Sequence, residues 1–182
     1  MFTNNWFEIT GKENFEKFLL PQKDEELNLL EVGCYEGRAS TWMLENLPKA
    51  KLTVVDTFKG GEDLPDEVDL LKRFEENTAP YRDRIDIAKG KSGDLLKYLD
   101  NNSYDFIYID GSHLACSALE DAVLSFPLLK ENGIMIFDDY TWGAGMCSYD
   151  IPSTGIDAFL NVYGNQLEVL ARNSQAVIRK IK

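Results

Sequence analysis

Short apolar runs at residues 27–32, 51–55, 84–88, 104–109 and 133–137 recur between stretches whose apolar residues return at three- and four-residue intervals. The runs are brief, rich in Ile, Val, Leu and aromatics, and bounded by turn residues, which predicts strands. The stretches between them, 40–46, 65–77, 93–99 and 115–129, predict helices, the last with an apolar face of Leu119, Val123, Phe126 and Leu129. Such alternation demands parallel strands joined by right-handed crossovers, an α/β, doubly wound, Rossmann-like sheet. Near the end, 156–163 predicts a helix, and 167–172 with 176–180 predicts two strands of a hairpin around Asn173-Ser174. No composition shift marks a linker, so residues 1–182 are expected to form a single domain.

Ligands of such a sheet sit beyond the carboxyl ends of its strands, so the residues after each run carry the functional information. After the first come Glu31, Gly33 and Gly37, glycines that allow a tight turn and a close approach to a ligand at a helix start. Asp56 follows the second run, 19 residues beyond Gly37, where an acid can take the two hydroxyls of a ribose. Together they predict an adenosine-containing ligand. A dinucleotide turn would place a glycine where Tyr35 stands, to let a pyrophosphate approach. The turn therefore suits a ligand without phosphate, such as S-adenosylmethionine.

The net charge of -12 argues against nucleic acid and anionic membranes as partners and makes cations natural guests, a sulfonium among them. Cys34, Cys116 and Cys147 have no pair spacing, and the start lacks a basic segment followed by an apolar one. Those features lead to the expectation of a reducing cytoplasm. No run is long and apolar enough to span a membrane.

Asp110 ends the fourth run, and Asp138 with Asp139 ends the fifth. In neighbouring strands these tips lie about 4.8 Å apart, so the carboxylates would converge and call for a hard divalent cation, Mg2+ or Mn2+. The alternative is that Asp110-Gly111 is a turn and Asp138 and Asp139 are helix caps. His113, the only histidine, can accept a proton near neutral pH or can simply begin the helix at Ala115 on the surface.

The segments EVGCYEG, VVDTF, GKSGDLL, YDFIYIDGSH and NGIMIFDDY occur in an order and spacing that resemble class I S-adenosylmethionine-dependent methyltransferases. Within that class the chain is most similar to small metal-dependent O-methyltransferases of the macrocin and catechol or caffeoyl-CoA kind. The resemblance implies a seven-stranded sheet, mostly parallel with an antiparallel C-terminal hairpin. It implies that Glu31, Gly33, Tyr35 and Gly37 line the methionine side of the cofactor, that Asp56 holds the ribose, and that Ser92 and Asp94 lie near the adenine. By the same likeness Asp110 borders the cofactor and, with Asp138 and Asp139, binds Mg2+, while His113 is the base that deprotonates a hydroxyl on a small-molecule substrate. Ala39 stands where many relatives carry a serine that touches the cofactor.

Phe58, Tyr140 and Trp142 are candidates to shape the pocket, and Gly143 and Gly145 suggest a mobile loop. Trp6 and Phe7 would cover the cleft or a contact between two copies, a homodimer being one expectation. Lys89 and Lys91 are alternative bases that more naturally sit on a solvated rim. Competing functions are a nicotinamide-dependent oxidoreductase, a non-catalytic adenosine-binding module, and a methyltransferase-like fold whose metal serves hydrolysis or hydroxylation.

Overall fold

The computed structural model describes residues 2–60 and 69–182. Strands β1 (Asn28–Val32), β2 (Lys51–Asp56), β3 (Ile85–Lys89), β4 (Tyr104–Ile109), β5 (Leu129–Phe137), β6 (Leu167–Arg172) and β7 (Ala176–Lys180) form one sheet in the order β3-β2-β1-β4-β5-β7-β6. The first five are parallel, whereas β7 runs antiparallel between β5 and β6. This is the mostly parallel sheet with an antiparallel hairpin that the segments imply. An all-parallel dinucleotide sheet has no such inserted strand.

Helices α1 (Lys12–Phe18), α2 (Arg38–Asn46), α3 (Leu70–Thr78), α4 (Ser92–Leu95), α5 (Ala115–Ser125) and α6 (Pro152–Val162) cover the two faces. Alternation along each strand divides the core. Leu29, Leu52, Val54, Phe106, Tyr108, Ile134, Ile136 and Val177 pack on one face with Phe15 of α1 and Met43 of α2. Leu30, Val32, Ile107, Ile109, Met135, Phe137 and Ile178 pack on the other with Ala118 of α5 and Phe159 of α6. Successive side chains point to opposite faces, and that parity carries past the strand ends into the residues of the site.

Three sequence expectations change. The N-terminal segment is helical, a short wide turn over Phe7–Gly11 running into α1, although no helix is predicted there. Phe7 is a core residue, its ring centroid 4.9 Å from that of Phe15, rather than a surface cover. On α5 the buried face is Ala115, Ala118, Asp121, Ala122 and Ser125, not the stripe through Val123, which is 37% exposed. Small residues win that face because α6 lies close: a Cβ on Gly155 would fall 2.0 Å from the Ala115 carbonyl oxygen. The helix expected over 65–77 lies partly outside the described residues; within them it begins at Leu70. Among the described residues no helix is long and apolar enough to cross a membrane.

Candidate active site

The carboxyl ends of β1, β2, β4 and β5 meet at one edge. Gly33 takes φ 83° and Gly37 φ 81°, and between them Tyr35, though not glycine, takes φ 49°. A Cβ on Gly33 would lie 2.1 Å from the backbone oxygen of Asp110, so the glycine is required by the close pass of β4 itself. On Gly37 a Cβ would meet the Phe74 ring at 2.8 Å.

Asp56 closes this turn. Its Oδ2 accepts from the backbone amides of Cys34 at 2.7 Å and Tyr35 at 3.0 Å, and its Oδ1 from Phe58 at 2.6 Å. The residue expected to hold a ribose thus also organises the backbone around it. Glu31 is 1% exposed and accepts from the Ser40 hydroxyl, so the serine bonded into this site is the one after Ala39. Burial pushes the Glu31 carboxyl up to about 8, with the nearby charge of Asp56 adding to the rise. Trp6 lies over the turn, its ring centroid 5.9 Å from that of Tyr35. Ser92 and Asp94 stand at the start of α4 beyond β3, with Ser92 hydrogen-bonded to the Asp121 carboxyl of α5 and Asp94 exposed.

The acids of β4 and β5 divide by parity. Asp110 and Asp138 share the face of Tyr108, whose hydroxyl lies 2.6 Å from Asp138 Oδ2 and 3.1 Å from Asp110 Oδ2. Asp138 Oδ1 also accepts from Gln175 Nε2 at 3.0 Å. Burial and the neighbouring charges, Asp138 foremost, hold the Asp110 carboxyl well above the usual carboxylate range, and burial with the charge of Asp139 raises Asp138. Asp139 takes φ 55° and turns to the other face, where its Oδ2 lies 2.8 Å from His113 Nε2. That hydrogen bond raises the pKa of the imidazole above its ordinary value, against the opposing effect of partial burial. The Trp142 ring stacks on the imidazole at 4.3 Å between centroids, inclined 25°.

A small, open cleft lies here, lined by Asp110, Ser112, His113, Asp138, Asp139 and the apolar Ile109, Phe137 and Ile156 among others. As they stand, no three His, Cys, Asp or Glu side chains among the described residues form a group that could hold a metal ion. The structure therefore brings together two of the three expected ligands, Asp110 and Asp138, and pairs the third, Asp139, with His113. The donor set itself is all oxygen, and among the described residues no Lys or Arg lines the cleft. Two adjoining carboxylates without a basic partner fit a hard divalent cation in kind.

Other candidates fall elsewhere. The Phe58 ring packs on Phe74 in the core, the Tyr140 hydroxyl donates to Asp157 at 2.8 Å, and Lys89 and Lys91 are exposed. Tyr108, Ser40 and Gln175 are site residues that motif spacing does not reveal. Their signal is periodicity: each is a polar group on the inward face of its element, by strand alternation for Tyr108 and Gln175 and by the buried face of α2 for Ser40.

The sequence matches the family described as methyltransferase domain over residues 30–140. No curated protein matches it. Among solved structures, the fold is similar to the O-methyltransferase from Bacillus cereus in complex with SAH, at TM-score 0.69 and 16% identity, covering 93% of this chain and 80% of that one. It is similar to the MycE methyltransferase of the mycinamycin biosynthetic pathway, in complex with Mg, SAH and mycinamycin VI, at TM-score 0.68 and 16% identity. That match covers all of this chain and 51% of the other, so the chain spans about half of MycE. The N-methyltransferase NodS from Bradyrhizobium japonicum has TM-score 0.64 and 16% identity, with 100% of both chains covered. At such identities these likenesses carry the fold alone.

Proposed function

The chain belongs to the methyltransferase-domain family, and on that premise we propose that it transfers a methyl group from S-adenosylmethionine to a hydroxyl of a small molecule, assisted by Mg2+. The observation that carries this reading is the His113–Asp139 pair on the rim of a cleft that also holds the Asp110 and Asp138 carboxylates.

S-adenosylmethionine would supply an electrophilic methyl carbon on a sulfonium, and a divalent cation at Asp110 and Asp138 would lower the pKa of the acceptor hydroxyl. The remaining chemistry belongs to the chain. The turn from Gly33 to Gly37 has the acids Glu31, Asp56 and Asp110 around it, and a cationic ligand seated there would favour the ionised form of the raised Glu31 and Asp110 carboxyls. His113 accepts the hydroxyl proton as the oxygen–carbon bond forms and the carbon–sulfur bond breaks, its electron pair staying on sulfur. Asp139 orients the imidazole and stabilises its protonated form, and the Trp142 ring shields one face of it. Binding both reactants in one cleft contributes the rest through proximity. The absence of Lys and Arg from the cleft lining favours an acceptor without phosphate or carboxylate groups.

The test has two stages. Thermal shifts with S-adenosylmethionine, S-adenosylhomocysteine, NAD and NADP, each with and without Mg2+, should show stabilisation by the two methionine derivatives. Transfer of labelled methyl to catechols, flavonoids and deoxysugar glycosides then identifies the acceptor. Stabilisation by NAD in preference to S-adenosylhomocysteine would overturn the cofactor, and labelling only of amines would overturn the hydroxyl.

A further inference from the structure

The antiparallel corner of the sheet carries buried amides that the reaction above does not use. Phe137 of β5 lies opposite Ala176 of β7, so one step further the register sets Gln175 opposite Asp138. Both have the parity of Ile136 and Val177 and thus lie on the face covered by α1. Gln175 is 0% exposed, and its Nε2 donates to Asp138 Oδ1 at 3.0 Å. Its Oε1 accepts from Nδ2 of Asn14, itself buried on α1, at 2.9 Å. The same Asn14 amide donates to Asn173 Oδ1 at 3.0 Å, and that oxygen also takes the backbone N–H of Gln175 at 3.0 Å.

This arrangement has a direction. Asn14 presents donors, so the oxygen of Gln175 must face it and only the NH2 group is left for Asp138. A mere packing joint between α1 and the hairpin could be built from apolar side chains at no polar desolvation cost. Instead, two buried amides, Asn14 and Gln175, form a relay that ends on one carboxylate oxygen, while the Tyr108 hydroxyl meets the other at 2.6 Å. The carboxylate is held from both sides, and its plane is set.

We propose that Gln175 is a positioning residue: its amide, oriented by Asn14, fixes the Asp138 carboxylate at the edge of the cleft. The proposal rests on the reading of that edge as the place where cation and hydroxyl meet. Groups that hydrogen-bond a ligating carboxylate orient it, and their loss typically lowers metal affinity or activity about 10–100-fold.

Gln175→Leu alone leaves the buried Asn14 amide short of one acceptor, so it is tested beside the double variant Asn14→Leu, Gln175→Leu, which removes both partners and keeps the volume apolar. Mn2+ is titrated into each protein by electron paramagnetic resonance in the presence of S-adenosylhomocysteine, whose own affinity is measured by calorimetry. The expected result is a fall in Mn2+ affinity of about 10–100-fold in both variants, with S-adenosylhomocysteine affinity held within about twofold. Unchanged Mn2+ affinity in the double variant overturns the proposal and leaves Gln175 a joint between α1 and the hairpin. Wild-type protein that binds S-adenosylhomocysteine but no Mn2+ ends the metal part of the reading instead. The crystal structure of the double variant then decides: an Asp138 carboxylate that has left the Tyr108 hydroxyl supports the positioning role, and one that has not moved overturns it.

Discussion

His113 Nε2 lies 2.8 Å from Asp139 Oδ2, and the pair closes the rim of the cleft opposite the faces of Asp110 and Asp138. The imidazole is 47% exposed in its side chain, so little of the fold depends on it. His113→Ala should lower the methyl-transfer rate about 10²- to 10⁴-fold while S-adenosylhomocysteine affinity and melting temperature stay close to wild type. Asp139→Asn keeps the size and loses the charge, and should lower the rate by a smaller factor, about 10- to 100-fold, again with cofactor affinity retained. Steady-state rates with calorimetry on the same preparations check both. A His113→Ala protein of full activity would leave hydroxyl activation without this base.

Asp56 holds the turn after β1 together. Three backbone amides, of Cys34, Tyr35 and Phe58, depend on its carboxylate. Asp56→Ala leaves them without an acceptor and should cost about 2–4 kcal/mol, lowering the melting temperature by roughly 5–15 °C as well as weakening S-adenosylhomocysteine. Asp56→Asn retains one acceptor oxygen and should lie between. A variant as stable as wild type that still loses the cofactor would show that the carboxylate serves the ligand and not the turn.

These two acids illustrate what the sequence makes legible. Strand identity is clear where an apolar run is bounded by turn residues, as in Tyr104–Ile109 and the two hairpin strands Leu167–Arg172 and Ala176–Lys180, which the structure reproduces to the residue. The position of Asp56 after β2 is equally clear, but its three amide partners are not, because they depend on the positive φ of Tyr35 and Phe58. Asp138 and Asp139 look equivalent in the sequence, yet strand parity sends one to Tyr108 and the other to His113. That parity is readable in principle, since Phe137 is the last core residue of its face. Asn14 and Gln175 lie 161 residues apart and meet only through the register of β7 against β5, so no local pattern announces them.

Gly155 sets two effects against each other. Alanine in a helix interior is favoured over glycine by about 1 kcal/mol. At this position its Cβ would fall 2.0 Å from the Ala115 carbonyl oxygen, a backbone atom that cannot move without shifting α5. The steric effect should win, so Gly155→Ala is expected to destabilise by about 1–3 kcal/mol. Since α5 begins just after His113, the displaced helix should also lower the transfer rate. Urea denaturation decides it, a gain in stability meaning that the two helices can part freely.

Glu31 should give the site a pH signature. Its carboxyl ionises near its ordinary value of 4.5 in the unfolded chain and at about 8 in the fold. The folded state therefore holds the extra proton between those values, so the stabilising contribution is full below about 4.5 and is lost as pH rises to about 8. Glu31→Gln mimics the protonated form, keeps an acceptor for the Ser40 hydroxyl, and has no such dependence. The stability of wild type relative to Glu31→Gln should fall by up to about 5 kcal/mol across that window, as read by denaturation at pH 5, 6.5 and 8. Comparison with the variant cancels the titration of Asp138, whereas Asp110, whose carboxyl the Glu31 charge also raises, carries part of the difference. Where the ammonium of the methionine moiety meets Glu31, it stabilises the carboxylate, so S-adenosylhomocysteine should bind wild type more tightly as pH rises from 6 to 8 and Glu31→Gln without that trend. Parallel stability curves would place the Glu31 carboxylate in contact with water or a cation that the fold does not show. A cofactor affinity of equal pH dependence in both proteins would move the ammonium away from Glu31.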